Sequence, residues 1–310
     1  MSRLTITIGG LLFVLGAVYS WPGNPLKAFV SRHLADAGSA TDKNDLGYDY
    51  EFGKNGLAKD ETQAVIWYRK AAEAGSPSGM FNLGRAYEHG RGGLSKDDKQ
   101  AVKWYQRAAE GGSKGGMDSL GDAYKQGQGG LPKDDRKAVN WYRKAAEAGS
   151  ASGMFDLGYA FQHGEGGLPK DEIQGVNWYT KAALAGSAVG MNNVGYAWEN
   201  AQGGLQKDYV EAVNWYREAA KFGSASGMAN LGRMYEGGRG GLRKDDAQAV
   251  GWYRKAADAG NRYGMSDLAR MYEAGRGGLP KDVTQAVSWY RKAAQQGYNP
   301  AQLALKRLGY

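Results

Sequence analysis

The dipeptide Trp-Tyr stands at Trp67-Tyr68, Trp104-Tyr105, Trp141-Tyr142, Trp178-Tyr179, Trp215-Tyr216, Trp252-Tyr253 and Trp289-Tyr290, a constant step of 37 residues. Gly-Met keeps the same step from Gly79-Met80 to Gly264-Met265, and a leucine keeps it from Leu57 to Leu279. A fixed period of this length constrains the fold more than any composition can. Each unit is a supersecondary element too small to bury its own apolar face, so it must bury that face against its neighbours, and the chain must stack as a solenoid.

Within one unit the apolar spacing is helical. Met80, Leu83, Gly84 and Tyr87 fall at i, i+3, i+4 and i+7, which predicts an amphipathic helix A. Ala101, Trp104, Tyr105, Ala108 and Ala109 predict a second, helix B. Pro77 suits the first turn of helix A. Asp97 with Gln100 reads as a capping box, repeated in five further units and interrupted by Lys137 in the third, while Gly90 and Gly112 sit where left-handed C-terminal caps belong. Small residues at the Gly84 and Ala109 positions let backbones approach closely. Trp104 and its equivalents are expected to fill the space between units as an internal aromatic ladder.

The ends depart from the consensus, as capping units should. A degenerate helix B is expected over 24–37, full repeats from about 39 to 297, and a lone helix A over 299–310 that carries Leu305 at the Leu83 position. The fold class is therefore all-α: an α-solenoid of seven 37-residue helix-turn-helix repeats with terminal half-repeat caps, occupying 22–310 as one domain.

The pattern Leu83-Gly84, Tyr87, Gly90, Gly93, Asp97, Ala101, Trp104-Tyr105, Ala108-Ala109 and Gly112 resembles the Sel-one-like repeat, a branch of the tetratricopeptide superfamily. Gly79-Met80 and its equivalents replace the usual Ala-Gln at the start of helix A, and Ala301-Gln302 keeps it. The resemblance implies a right-handed α-superhelix that acts as an adaptor or partner-binding scaffold, often in bacterial envelopes, with helix A lining its concave side.

Before the repeats, Arg3 precedes an apolar run from Leu4 to Val18 and then Tyr19-Ser20-Trp21-Pro22-Gly23. Residues 1–21 thus read as a signal peptide or an N-terminal membrane anchor, and the repeats as exported to the periplasm. The net charge of +8 comes from cations interleaved with acids, as in Lys59-Asp60 and Lys96-Asp97, not from the basic stripe that a nucleic acid requires. Zero cysteines exclude disulfides and thiolate chemistry, and three histidines are too few for a histidine-rich zinc site, so neither metal nor cofactor is expected.

Catalytic signatures are equally sparse. The glycine-rich loops, such as Gly90-Arg91-Gly92-Gly93, lack the strand and the Lys-Ser/Thr of a phosphate loop. No His-Glu-x-x-His and no Ser-x-x-Lys occurs. What varies from repeat to repeat is a second stripe of helix A. Its members are Asp45, Tyr48 and Phe52; Phe81, Asn82, Arg85 and His89; Asp122; Phe155, Asp156, Tyr159 and His163; Asn193 and Tyr196; Asn230 and Arg233; and Asp267 and Arg270. Tyrosine and arginine are enriched at binding hot spots, and aromatics on a solvent stripe are costly to leave uncovered. The expected function is a non-enzymatic protein-binding scaffold of the bacterial envelope, most specifically a periplasmic immunity protein that neutralises a secreted toxin such as a type VI phospholipase effector. The alternatives are an envelope adaptor for assembly or signalling, and a glycan or peptidoglycan binder.

Overall fold

The computed structural model describes residue 33 and residues 35–310, and among these it is helical with turns and no strand. The leader-like segment 1–21 and most of the expected cap helix 24–37 lie outside the described residues. The chain divides into two compact units, Met1–Ala148 and Gly149–Tyr310.

In the first unit, helices alternate A and B as α1 (Ala40–Phe52), α2 (Glu61–Glu73), α3 (Pro77–His89), α4 (Asp98–Glu110), α5 (Lys114–Gln126) and α6 (Asp135–Glu147). The second unit continues with α7 (Ala151–His163), α8 (Glu172–Leu184), α9 (Ala188–Asn200), α10 (Tyr209–Lys221), α11 (Ala225–Gly237), α12 (Asp246–Asp258), α13 (Arg262–Ala274), α14 (Val283–Gln295) and a terminal half-repeat α15 (Asn299–Arg307). These are the seven expected helix pairs of an α-solenoid, with the last helix ending three residues earlier than the expected 310.

Most helices start and stop where their sequence says they should. Ser76 accepts a hydrogen bond from the Gly79 amide at the start of α3, and Gly90 closes the helix in the left-handed conformation at φ 63°. Helix B differs in detail from its capping-box signature. Asp97 accepts from the Gln100 amide, and Asp134 does the same with Lys137, although Lys137 lacks the box chemistry. The reciprocal bond is superseded because the Asp97 amide already donates to Tyr87 O at 2.9 Å, a link repeated at Asp134 to Tyr124 and Asp245 to Tyr235. The N-cap aspartate therefore ties helix B to the preceding helix A.

The core of each repeat is a tyrosine set into a glycine slot. Tyr68, Tyr105, Tyr142, Tyr179, Tyr216, Tyr253 and Tyr290 are all buried. A Cβ on Gly84 would lie 2.7 Å from the Tyr105 ring, and one on Gly232 would lie 2.6 Å from the Tyr253 ring. The loop glycine Gly92, at φ +59°, is pressed against the preceding helix B, where a Cβ would meet Glu61 O at 2.4 Å. Both positions are glycine because backbone meets a neighbour there, and at Gly92 also because an L side chain resists positive φ.

The tryptophan ladder is only partly internal. Trp67 is buried, but the later tryptophans of the Trp-Tyr pairs are half-buried, and Trp104, Trp141, Trp215, Trp252 and Trp289 are wedged against the preceding repeat, as Trp104 is on the Tyr68–Leu83 cluster. A cation three residues on covers the outer ring face: Lys70 lies 4.0 Å from the Trp67 centroid, Arg107 4.4 Å from Trp104 and Lys144 4.1 Å from Trp141. Trp215 is the exception, because Glu218 occupies the cation's place.

Gly232→Ala should destabilise the chain by roughly 1–3 kcal/mol, since the added methyl overpacks the Tyr253 slot. Hydrogen exchange checks where the loss falls: amides of α11 to α13 should speed up, while those of α1 to α3 keep their protection.

Candidate partner-binding face of the A helices

Leu83 and Gly84 turn inward, so Phe81, Asn82, Arg85 and Glu88 occupy the other side of α3, and the same registers recur on every A helix. Successive A helices touch each other within each unit, α1 with α3 and α3 with α5, then α7 with α9, α9 with α11 and α11 with α13. The A helices thus present adjacent side chains as a shared surface in each unit.

That surface is largely organised by its own hydrogen bonds. The hydroxyl of each buried tyrosine donates to an acceptor near the end of helix A: Tyr68 to Glu51 at 2.6 Å, Tyr105 to Glu88 at 2.7 Å, Tyr179 to Gln162 at 2.8 Å, Tyr216 to Glu199 at 2.6 Å, Tyr253 to Glu236 at 2.7 Å and Tyr290 to Glu273 at 3.1 Å. The third repeat carries Lys125 at the acceptor position, and there Asp122 takes the Tyr142 hydroxyl at 2.7 Å from one turn earlier. Burial, followed by the contact with the carboxylate, pushes the phenols of Tyr68, Tyr105 and Tyr216 far above their ordinary range.

The acceptor glutamates then reach the next repeat. Glu51 receives Arg91 at 3.1 Å, and Glu273 receives both guanidinium nitrogens of Arg307 at 2.7 and 2.8 Å. Glu236 is the densest node. It accepts a bidentate pair from Arg270 at 2.6 Å each, Arg276 at 3.0 Å and Tyr253 at 2.7 Å. Chiefly through the Arg270 hydrogen bonds, its carboxyl is held down at about 2. Burial pushes Asp267, beside the same Arg270, in the opposite direction.

The residues expected to line a groove therefore separate by what already holds them. Asp122, Asp267 and Arg270 are tied into the inter-helix network, and Asn230 is buried, donating to Asn192 at 2.8 Å. Asn82 makes the same link to Asn44 at 2.9 Å. Phe81 packs over Tyr105 with centroids 5.9 Å apart, and Phe155 over Tyr179 at 5.4 Å. Tyr159 stacks on His163 at 4.0 Å, His89 approaches Glu88 at 3.7 Å, and Asp156 is half-buried. Asn193 returns to its own helix at Val189 O. Asp45, Tyr48, Phe52, Tyr196 and Arg233 stay exposed, with Arg85 half-buried and 5.8 Å from the Phe81 ring centroid.

In the second unit part of this surface opens into a cavity of about 270 Å³ lined by Asn192, Tyr196, Ser226, Ala229, Asn230, Arg233 and Tyr263. Tyr263 escaped the sequence reading because it lies in the first turn of α13, outside the variable stripe. Its signal was nonetheless there: the equivalent positions hold Ser78, Gly115, Ser152, Val189 and Ser226, none of them aromatic. Arg233 donates to Asn230 Oδ1 and, among the described residues, has no carboxylate partner, in contrast to Arg239, Arg270, Arg276 and Arg307. Among the described residues no cluster of three or more His, Asp or Glu is placed to hold a metal ion, and no helix is long and apolar enough to cross a membrane.

A family model for the Sel1 repeat matches seven times, at 43–76, 77–113, 116–150, 151–187, 188–223, 225–261 and 262–298. The chain belongs to the Sel1 repeat family. Among solved structures it is similar to a Sel1 repeat protein from Oxalobacter formigenes, at 28% identity and TM-score 0.69, over 81% of this chain and 96% of that one. It is also similar to a protective antigen of uropathogenic Escherichia coli with an SLR fold, at 35% identity and TM-score 0.64, over 90% of this chain. The match spans only 58% of the Escherichia coli protein's length. An immunity protein from Pseudomonas aeruginosa aligns at 19% identity and TM-score 0.49, over 71% of this chain and 81% of that one, a likeness of fold alone. No curated protein matches the chain. As a Sel1 repeat protein, it is built as a helical scaffold.

Because the Glu236 carboxyl is depressed in the folded state, its bonds stabilise the protein above the ordinary carboxylate range, and that contribution fades as pH falls toward about 2. Glu236→Gln should cost roughly 1.5–3 kcal/mol at neutral pH, the weight of hydrogen bonds to a charged group. Denaturant unfolding at a series of pH values should show the two proteins converging in acid.

Proposed function

We propose that the chain is a non-enzymatic protein-binding scaffold whose partner docks on the A-helix face of the second unit. The observation that carries this reading is the cavity between α9, α11 and α13, where exposed Tyr196 and Tyr263 flank Arg233, a cation without a carboxylate. Elsewhere on the face most polar side chains satisfy one another, and Arg85, which also has no carboxylate partner among the described residues, has the Phe81 ring beside it. Here the exposed Tyr196 ring and the Arg233 charge are left for an outside group, beside a Tyr263 whose ring packs edge-on to Tyr298 and whose hydroxyl accepts from Arg262, and an aromatic next to an arginine is the combination that forms hot spots in protein interfaces. The rest of the architecture supplies rigidity, since a preorganised surface loses less entropy when it binds.

The narrower form of the proposal places this scaffold in the bacterial envelope as an immunity protein that occludes a secreted toxin, such as a type VI phospholipase effector. What supports the compartment is the sequence of Arg3, the Leu4–Val18 run and the small-residue exit after it. An envelope adaptor would use the same face, and the identity of the captured partner separates the two.

Affinity capture with the full chain from an envelope fraction is expected to retain a stoichiometric protein. Tyr196→Ala with Arg233→Ala should weaken retention by at least about 2 kcal/mol, the threshold of a hot spot. Leu184→Ala, an exposed apolar residue at the end of a B helix, should leave it unchanged. Sensitivity at Leu184 with indifference at Tyr196 and Arg233 would contradict the assignment.

A further inference from the structure

The cavity has a closed relative in the first unit. Asn192, Tyr196, Asn230 and Arg233 recur four repeats earlier as Asn44, Tyr48, Asn82 and Arg85, in the same registers of α1 and α3. The geometry repeats as well as the residues. Asn82 donates to Asn44 at 2.9 Å as Asn230 does to Asn192 at 2.8 Å, and Tyr48 and Tyr196 are both exposed at 41% and 44%.

What differs is the aromatic ring beside the arginine. In the first unit Phe81 places its own ring 5.8 Å from the Arg85 guanidinium, and Gly115 makes room for it, since a Cβ there would lie 2.9 Å from the ring. In the second unit Ala229 replaces Phe81 and Tyr263 replaces Gly115. Among the described residues Arg233 consequently has no ring over it and no ion pair, although Asp267, itself bonded to Arg270, lies within electrostatic reach. The open volume of about 270 Å³ exceeds the ~150 Å³ of a cavity that accepts a benzene ring. Its lining carries one positive charge and no carboxylate.

We infer that this cavity receives an aromatic side chain of the partner, presented next to a carboxylate: the ring supplies for Arg233 what Phe81 supplies for Arg85, and the carboxylate completes the charge. Cation–π and ion-pair geometry are compatible on one guanidinium because the ring takes its face and the carboxylate its edge. Tyr196 and Tyr263 form the walls, and Ser226 offers a hydroxyl at the rim. The inference rests on the partner-binding reading of the same face and names the chemistry that the face selects.

N-acetyl-L-phenylalanine is the minimal probe with both groups, N-acetyl-L-phenylalaninamide keeps the ring alone, and N-acetylglycine keeps the carboxylate alone. Titrated against the full chain labelled with nitrogen-15 at arginine, N-acetyl-L-phenylalanine is expected to shift the Arg233 Nε resonance at millimolar concentration. It should bind about tenfold tighter than either half-probe. Arg233→Gln removes the reporting resonance, so its affinities are read by calorimetry, where N-acetyl-L-phenylalanine should lose its advantage over the amide, and Ala229→Phe, which restores the arrangement of the first unit, should abolish the response. Tyr196→Ala, at an exposed site, carries the same test if Ala229→Phe does not fold. The inference is overturned if no probe shifts Arg233, if N-acetylglycine binds as well as the phenylalanine derivative, or if the response survives the variants. Should the partner still depend on Tyr196 and Arg233 in the capture experiment, the docking face stands and the guest chemistry alone fails.

Discussion

One contact is repeated seven times and sets the rest: a helix-B tyrosine lies in a groove of helix A and donates its hydroxyl to an acid or amide near that helix's end. The ring enters because Gly47, Gly84, Gly121, Gly158, Gly195 and Gly232 carry no Cβ, and the seventh repeat tolerates Ala269 in the same register. A buried phenol without an acceptor would cost on the order of 1–3 kcal/mol, so slot and acceptor have to be supplied together. Their simultaneous presence fixes the rotation and depth at which the two helices of a repeat pack.

The same acceptor carries the order outward to the next repeat. Glu51, Glu236 and Glu273 each bond a tyrosine of their own repeat and an arginine of the following one. Repeat stability and inter-repeat stability therefore share an atom group, which is how a quasi-one-dimensional stack becomes cooperative. This network also explains which polar residues are unavailable for recognition. Arg270 and Arg233 occupy equivalent positions one repeat apart, yet the first is clamped by Glu236 and the second faces a cavity. The network leaves the Arg233 charge over on the face proposed to bind a partner.

The period, the helix pairs, the caps and the terminal half-repeat were legible in the sequence because each follows from local chemistry: a stripe, a serine, a left-handed glycine. Less legible was anything decided by a partner distant in sequence. Trp and Tyr stand side by side in every helix B, and the tyrosine is the more buried of the pair in the six later repeats, where its hydroxyl meets an acceptor 17 residues upstream in five and 20 upstream, at Asp122, in the third. The aspartate caps looked like reciprocal boxes until the preceding helix claimed their amides. Asp122 looked like a groove residue, and Lys125 one turn later is the sole hint that it must replace a missing glutamate. Along the variable stripe, residue type alone could not separate a side chain pointing to a partner from one satisfied within the protein.

Tyrosine ionisation tests the central contact most directly. Of the 20 tyrosines, those in slots with raised phenols, Tyr68, Tyr105, Tyr179, Tyr216, Tyr253 and Tyr290, should resist deprotonation while the helices are intact. Phenolate absorbance followed together with helical circular dichroism, as pH rises through and beyond the ordinary tyrosine value of about 10, should resolve two phases. The account predicts that exposed tyrosines ionise first with helicity unchanged, and that the slotted group ionises only as the helices melt. A single phase that ionises every tyrosine near that ordinary value, with full helicity retained, would contradict it.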